Sequence, residues 1–518
     1  MHYRLSRVST CRVLAAAAIL ALIHAGQAAA DSLPLIPWPG SVVESAGAFR
    51  LTGHTTLSYD AAGTSGADLL QATLHLRRSA AAADVSLHID PTLALGAEGY
   101  RLTVAPAGVT IDAATGQGLY FGAQTLLQLL PANCALPCAI PAVKIEDAPR
   151  FGWRGLLVDI SRHFFGKPAL LRIIDAMAAL KLNVLHLHLT DDAGWRFEVP
   201  AYPKLTSVGA RGDEEAPGVG PPQFLSRRDV RELVAYAQAR YIDIVPEIEL
   251  PTHSGAAARA YPELFDGDRS INPAREASMR FVREVFAEAA RQFPSRYLHF
   301  GGDEFGGSGW DQMPEVRQLR ERAGLHTKRE LEGYFDNQVA QAIEALGRQP
   351  MAWDETAEAG VRSEVLIQWW RKDRPEVLDA AVRGGHDVVL SPVDQVYFDY
   401  PNGPGEPGAP WEGNDNGPTS VAKILRWEPV PQRFTPAEAA RIRGVEAALW
   451  TEFIRSEKYL QFMLYPRLQA LAEIAWRAPG ARDPAEFERR LAPHLQRLAA
   501  QGVHARRGPQ DAVEFQTH

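Results

Sequence analysis

"RGLLVDISRHFFGKPALLRIIDAMAALKLNVLHLHL" (residues 154–189) holds two short apolar runs with a longer helical pattern between them. "RGLLVDI" (154–160) and "NVLHLHL" (183–189) are strand-length, and "PALLRIIDAMAALK" has the spacing of an amphipathic helix. The same alternation continues downstream. "IDIVPEI" (242–248), "RYLHFGG" (296–302), "QPMAW" (349–353), "VLIQWW" (365–370), "HDVVLS" (386–391) and "GVEAALW" (444–450) complete a set of eight strand candidates. Helices such as "RRDVRELVAYAQAR" lie between several of them. Eight strands alternating with helices predict an α/β fold, a (β/α)8 barrel.

A barrel brings the C-terminal ends of all its strands to one face, where barrel active sites sit. The residues found there are Arg162, Asp191 and Asp192, His253, Asp303 and Glu304, Trp353, Trp370, Tyr397 with Asp399, and Trp450 with Glu452. Packing alone does not explain acids, bases or aromatics at every strand end. Aromatic walls with polar groups suit a sugar, whose C–H faces stack while its hydroxyls need charged partners. Two carboxyls at such a site suggest glycosidic bond cleavage. Asp303 and Glu304 are neighbours on a strand, so they start on opposite sides and are expected to do different jobs.

Two other chemistries fit parts of the pattern. His186 and His188 share one strand face, as in metal-dependent barrel hydrolases, with His253, His299 and Asp303 as further ligands. Polar packing inside the barrel is the preferred account of that pair, and no metal or cofactor is expected. A noncatalytic sugar-binding protein would need the aromatics but no acid at Glu304.

The chain has 518 residues, a formal net charge of −8, 46% hydrophobic and 22% charged residues. Its mild acidity gives no footprint for a nucleic-acid partner. Residues 1–30 read as a signal peptide: a basic start, the apolar "VLAAAAILALIHA" and a small-residue site with cleavage after Ala30. A periplasmic or secreted protein with no membrane span in its mature part is expected. Cys134 and Cys138 in "CALPC" are expected to form a local disulfide. Residues 31–147 read as a small α+β domain, with a hairpin in "EGYRLTVAPAGVTIDAAT" and a helix in "GQGLYFGAQTLLQLL". The barrel is expected over 148–480, followed by a helical tail at 481–518. A long loop, "YPNGPGEPGAPWEGNDNGPTS" (400–420), interrupts it. Oligomeric state is not readable.

"HFGGDE" (299–304) resembles the H-x-G-G-D-E signature of family 20 glycoside hydrolases, the β-N-acetylhexosaminidases. "RGLLVDISRHFF", "KLNVLHLHLTDDAGWRFE", "VPEIELPTHS", "IQWWR", "LWTE" and "YPRLQALAEIAW" extend the likeness from about 33 to 477. The resemblance implies an exo-acting, retaining enzyme that removes terminal β-linked N-acetylglucosamine or N-acetylgalactosamine, with the substrate's own 2-acetamido oxygen as nucleophile. It implies Glu304 as general acid and then base, with a raised pKa from burial beside aromatics. It gives Asp303 the acetamido N–H and Tyr397 the acetamido oxygen. Trp353, Trp370 and Trp450 would box the acetyl group and sugar face. Arg162, Asp399 and Glu452 would grip ring hydroxyls, and Asp191 and His253 would support Glu304. Trp370 is chosen over Trp369 because an Arg follows it. The sequence departs from the family at "EIELPTHS", where "EIDMPGHS" is common, so Glu249 stands for Asp and Thr252 for Gly. Gluco or galacto preference and the natural substrate are not readable.

Overall fold

The computed structural model describes residues 33–515 apart from 80–82, 266–269, 307, 411–414 and 481. The leader expected at 1–30 and the centre of the 400–420 loop lie outside the described residues. The small domain is one seven-stranded sheet of β1 (Ser41–Leu51), β2 (Thr56–Tyr59), β3 (Arg77–Arg78), β4 (Val85–Ile89), β5 (Tyr100–Ala105), β6 (Gly108–Ala113) and β7 (Cys138–Asp147), in the order β1-β7-β5-β6-β4-β2-β3. β5 and β6 form the expected hairpin, pairing antiparallel from Tyr100↔Ala113 to Ala105↔Gly108. The amphipathic helix spans Gly116–Gln128, and Cys134 and Cys138 form the expected disulfide.

Eight parallel strands then close a barrel: β8 (Trp153–Asp159), β9 (Val184–His188), β10 (Asp243–Leu250), β11 (Tyr297–Gly301), β12 (Gln349–Trp353), β13 (Leu366–Trp369), β14 (Val388–Leu390) and β15 (Ile442–Leu449), which returns to β8. Each lies within two residues of its sequence-based limits. β8 and β9 are buried throughout, because helices cover the outer face of a parallel barrel. Helix Arg227–Gln238 starts at a capping box, with Ser226 and Asp229 satisfying each other's backbone N–H groups.

The barrel interior carries a polar layer. Glu446 accepts from Trp153 Nε1 at 2.7 Å and Gln368 Nε2 at 2.9 Å, and faces His186 Nδ1 at 2.8 Å. Glu247 accepts from Trp353 Nε1 at 2.8 Å and faces His188 Nδ1 at 2.6 Å and His299 Nδ1 at 2.9 Å. Buried carboxylates need such donors to repay desolvation. The "HLH" histidines, His186 and His188, both lie in this buried polar layer.

A buried ion pair joins the two domains. Lys181 Nζ meets Asp147 Oδ2 at 3.0 Å and Tyr100 Oη at 2.8 Å, while Trp476 Nε1 donates to Asp147 Oδ1 at 2.8 Å. Helix Pro484–Ala500 lies across the same joint: Arg490 donates to the Leu35 carbonyl and pairs with Glu473, and Arg497 donates to the Gln128 and Leu130 carbonyls. Among the described residues no helix is long and apolar enough to cross a membrane.

Candidate active site

β11 ends at Gly301, and the next residues turn sharply. Gly301 and Gly302 have φ of 75° and 92°, and Glu304 follows at 55°. The glycines are required by close approach as well as by backbone. A Cβ on Gly301 would lie 1.8 Å from Glu249 Oε2, and one on Gly302 would lie 2.3 Å from Thr356 Cγ2. Glu304 has no such excuse: it holds a left-handed backbone with a full side chain, at the mouth of the barrel.

This turn corrects the sequence-based premise about Asp303 and Glu304. Both lie beyond the strand, so strand alternation does not separate them. Asp303 Oδ2 and Glu304 Oε2 approach the same nitrogen, His253 Nε2, at 3.6 and 3.4 Å. Their surroundings differ instead. The Asp303 side chain is 15% exposed and its Oδ1 has no hydrogen-bond partner, whereas the Glu304 side chain is 59% exposed.

A chain of charges stands behind the pair. His253 Nδ1 faces Asp191 Oδ2 at 3.4 Å, and the same oxygen meets Arg162 at 2.7 Å and His188 Nε2 at 3.1 Å. Burial opposes ionisation of Asp191, but Arg162 and His253 outweigh it and hold the carboxyl well below its usual range. Burial likewise favours a neutral His253, yet Asp191 and the contact with Glu304 raise its pKa well above the ordinary value. Burial pushes Asp303 up to about 6 against the pull of His253. The hydrogen bond from His253 draws Glu304 below its ordinary value. The raised Glu304 pKa expected from sequence is therefore not found here, because the carboxylate is half in solvent and faces an imidazolium.

Opposite the acids stands an aromatic wall. Trp370 stacks on Tyr397 with centroids 6.2 Å apart and planes 19° from parallel. Trp450 lies 6.1 Å from Tyr397 and 5.9 Å from Trp353. Trp369, by contrast, is a strand residue whose indole donates to the Arg374 carbonyl at 3.4 Å. At one end Arg162 lies over Trp450 at 5.1 Å and meets Glu452 at 3.5 Å and Asp159 at 3.4 Å. Asp399 is buried there with Oδ1 unpartnered, and burial with Glu452 nearby raises its pKa well above the usual range. The eleven residues to which the resemblance gives roles thus converge on one mouth of the barrel.

Residues 151–479 match the family model "Glycosyl hydrolase family 20, catalytic domain", and 32–148 match "Glycosyl hydrolase family 20, domain 2". The chain belongs to glycoside hydrolase family 20. It is 34% identical to the beta-N-acetylhexosaminidase of Cellulomonas fimi, over 86% of this chain and 90% of that one. It is 32% identical to the beta-hexosaminidase of Porphyromonas gingivalis over 91% of its own length, spanning 64% of that relative. The solved Vibrio harveyi GH20 exo beta-N-acetylglucosaminidase in complex with N-acetylglucosamine superposes with a TM-score of 0.85 at 30% identity, covering 92% of this chain and 78% of that one.

Several further residues shape this family 20 site through contacts that the sequence does not show. Asp159, inside β8, accepts from the backbone N–H groups of Ser161, Arg162 and Thr451 and so sets the direction of Arg162. Thr252, the departure from the family pattern, donates its hydroxyl to the Asp303 carbonyl at 2.7 Å. Glu249 is buried with neither carboxyl oxygen hydrogen-bonded, and burial with Asp303 and Glu247 close by raises its pKa well above the usual range. Asp354 and Glu355 directly follow Trp353, and that acid pair at a strand end was the available signal. Among the described residues five groups have the donor chemistry for a cation, with donor atoms within 4.8 Å, and two of them are His186–Glu247–His299 and His253–Asp303–Glu304. In both, the histidines already face carboxylates.

Another cavity, about 830 Å³, is elsewhere. It lies among helices Gly116–Gln128, Lys167–Ala179 and Pro484–Ala500 and is mostly apolar, with rim charges paired as Arg172–Glu457 and Arg240–Asp175. The chemistry stays at the strand ends.

Proposed function

We propose that this chain is an exo-acting, retaining β-N-acetylhexosaminidase that works by substrate assistance. The observation that carries the proposal is the division between a largely enclosed Asp303 and an exposed Glu304 beside one aromatic box. The sugar's C–H face lies on Trp450, its acetyl group between Trp353, Trp370 and Tyr397, and its hydroxyls toward Arg162, Asp399 and Glu452. The acetamido oxygen attacks C1 as the bond to the leaving oxygen breaks, and Glu304 gives that oxygen its proton. Asp303 takes the acetamido N–H and balances the positive charge of the oxazolinium. Water then attacks C1 and returns a proton to Glu304. Two displacements at C1 retain configuration.

A sugar lying over Glu304 would remove its water and raise its pKa from the low value of the open site, as the acid role needs. Asp191 and His253 hold its orientation. The leader at 1–30 supports export to the periplasm or medium.

Turnover of a chromogenic β-N-acetylglucosaminide, with and without chelator, tests the proposal. Full activity in chelator with a β-configured first product is expected. Loss on chelation would favour a metal hydrolase, and tight sugar binding without turnover a lectin-like protein.

A further inference from the structure

Glu355 has no part in the steps above, yet it stands at the acyl end of the site. Its two carboxyl oxygens accept the Trp370 indole N–H at 3.2 and 3.1 Å. Asp354 beside it accepts the Trp370 backbone N–H at 3.1 Å and the Arg371 Nε–H at 2.8 Å. Two successive acids from the end of β12 thus grip Trp370 by main chain and ring. Trp370 is only partly buried and lies nearly parallel to Tyr397, with ring centroids 6.2 Å apart. Without a partner for its N–H, an indole at a pocket edge has more than one rotamer open to it.

The Glu355 side chain is itself 13% exposed and has Arg371 Nε at 3.6 Å. Burial, Asp354 and Asp303 push its pKa up to about 9. It is therefore uncharged near neutrality and adds no second negative charge beside Asp303.

We infer that Glu355 is a positioning residue that locks Trp370 as a wall of the acyl pocket and so sets which N-acyl groups are accepted. The inference rests on the proposed function, in which that pocket holds the 2-acetamido group. A fixed wall rejects a longer acyl chain by overlap, whereas a wall free to turn yields to it.

The test measures kcat/KM on p-nitrophenyl β-glycosides bearing N-acetyl, N-propionyl or N-butyryl groups. The wild type should prefer acetyl by about tenfold or more per added methylene. Glu355→Ala should lower the N-acetyl value and shrink the acetyl-to-butyryl ratio by about tenfold or more. Glu355→Gln keeps an acceptor oxygen and should hold the ratio within about twofold. In a Trp370→Phe background, which lacks the N–H, Glu355→Ala should change the ratio no further. Glu355→Leu replaces Glu355→Ala if the latter does not fold. An unmoved ratio in Glu355→Ala, a collapse in Glu355→Gln, or an additional loss in the Trp370→Phe background would each overturn the inference. A wild type inactive on every N-acyl substrate would defeat the proposed function instead.

Discussion

His253 and Glu304 face each other at 3.4 Å, each from a left-handed backbone position, with φ of 49° and 55°. Two strained residues from different strand ends meet where Asp303 also points, so the fold spends stability to hold three groups together. Shared contact with one imidazole does not make the two acids equivalent. Asp303→Asn should cut kcat/KM about 10²–10⁴-fold even for a dinitrophenyl leaving group, since it acts on the acetamido attack. Glu304→Gln should cost that much only for poor leaving groups and far less for the dinitrophenyl glycoside. Equal losses across a leaving-group series would refute the division.

The pKa of about 6 at Asp303 sets an acid limb. Asp303 must be a carboxylate to hold the acetamido N–H, so kcat/KM for a good leaving group should rise as pH climbs through about 6. His253 pulls that pKa down. His253→Phe removes the cation and should move the limb upward. Asp191→Asn weakens the imidazolium and should move it the same way by less. A limb that stays put or moves down in pH–rate profiles would show that another group controls it.

The barrel was legible because eight apolar runs of strand length are separated by helical periodicity, and the site because chemistry-bearing residues end every run. What stayed hidden depends on close approach. "GGDE" does not announce that Gly301 makes room for the Glu249 carboxyl, nor that Thr252 reaches the Asp303 carbonyl. Strand alternation also misled at Asp303 and Glu304, because the glycines end β11 before it can act on them. The charge on Glu304 was misjudged for a related reason: its neighbour His253 comes from another strand end, at a distance that only the fold sets.

Gly301 and Glu249 form a coupled pair. A methyl at 301 would lie 1.8 Å from Glu249 Oε2 and would also hold φ at 75°, which costs roughly 1 kcal/mol by itself. Gly301→Ala should therefore displace Asp303 and cost about 10²-fold in kcat, as small misplacements at reacting groups do. Glu249→Asp draws the carboxyl back by one methylene. The double variant should recover at least about tenfold of that loss. Strict additivity of the two changes would show that the clash is relieved elsewhere.

His494 makes docking of the C-terminal helix sensitive to acid. Its Nε2 lies 2.8 Å from the Pro34 carbonyl, and burial, then Arg497, lower its pKa from 6.5 to about 4. Between those values an unfolded chain binds a proton that the folded one refuses. Its contribution is thus fully present above 6.5 and is lost as pH falls toward 4, by about 3 kcal/mol over the whole window. His494→Gln cannot titrate and keeps a donor for Pro34. In urea titrations the variant should match the wild type near pH 7 and exceed it by roughly 2 kcal/mol near pH 4.5. The expected gap appears only on the acid side, so a variant equally less stable at both pH values would mean that His494 contributes through packing rather than through its charge.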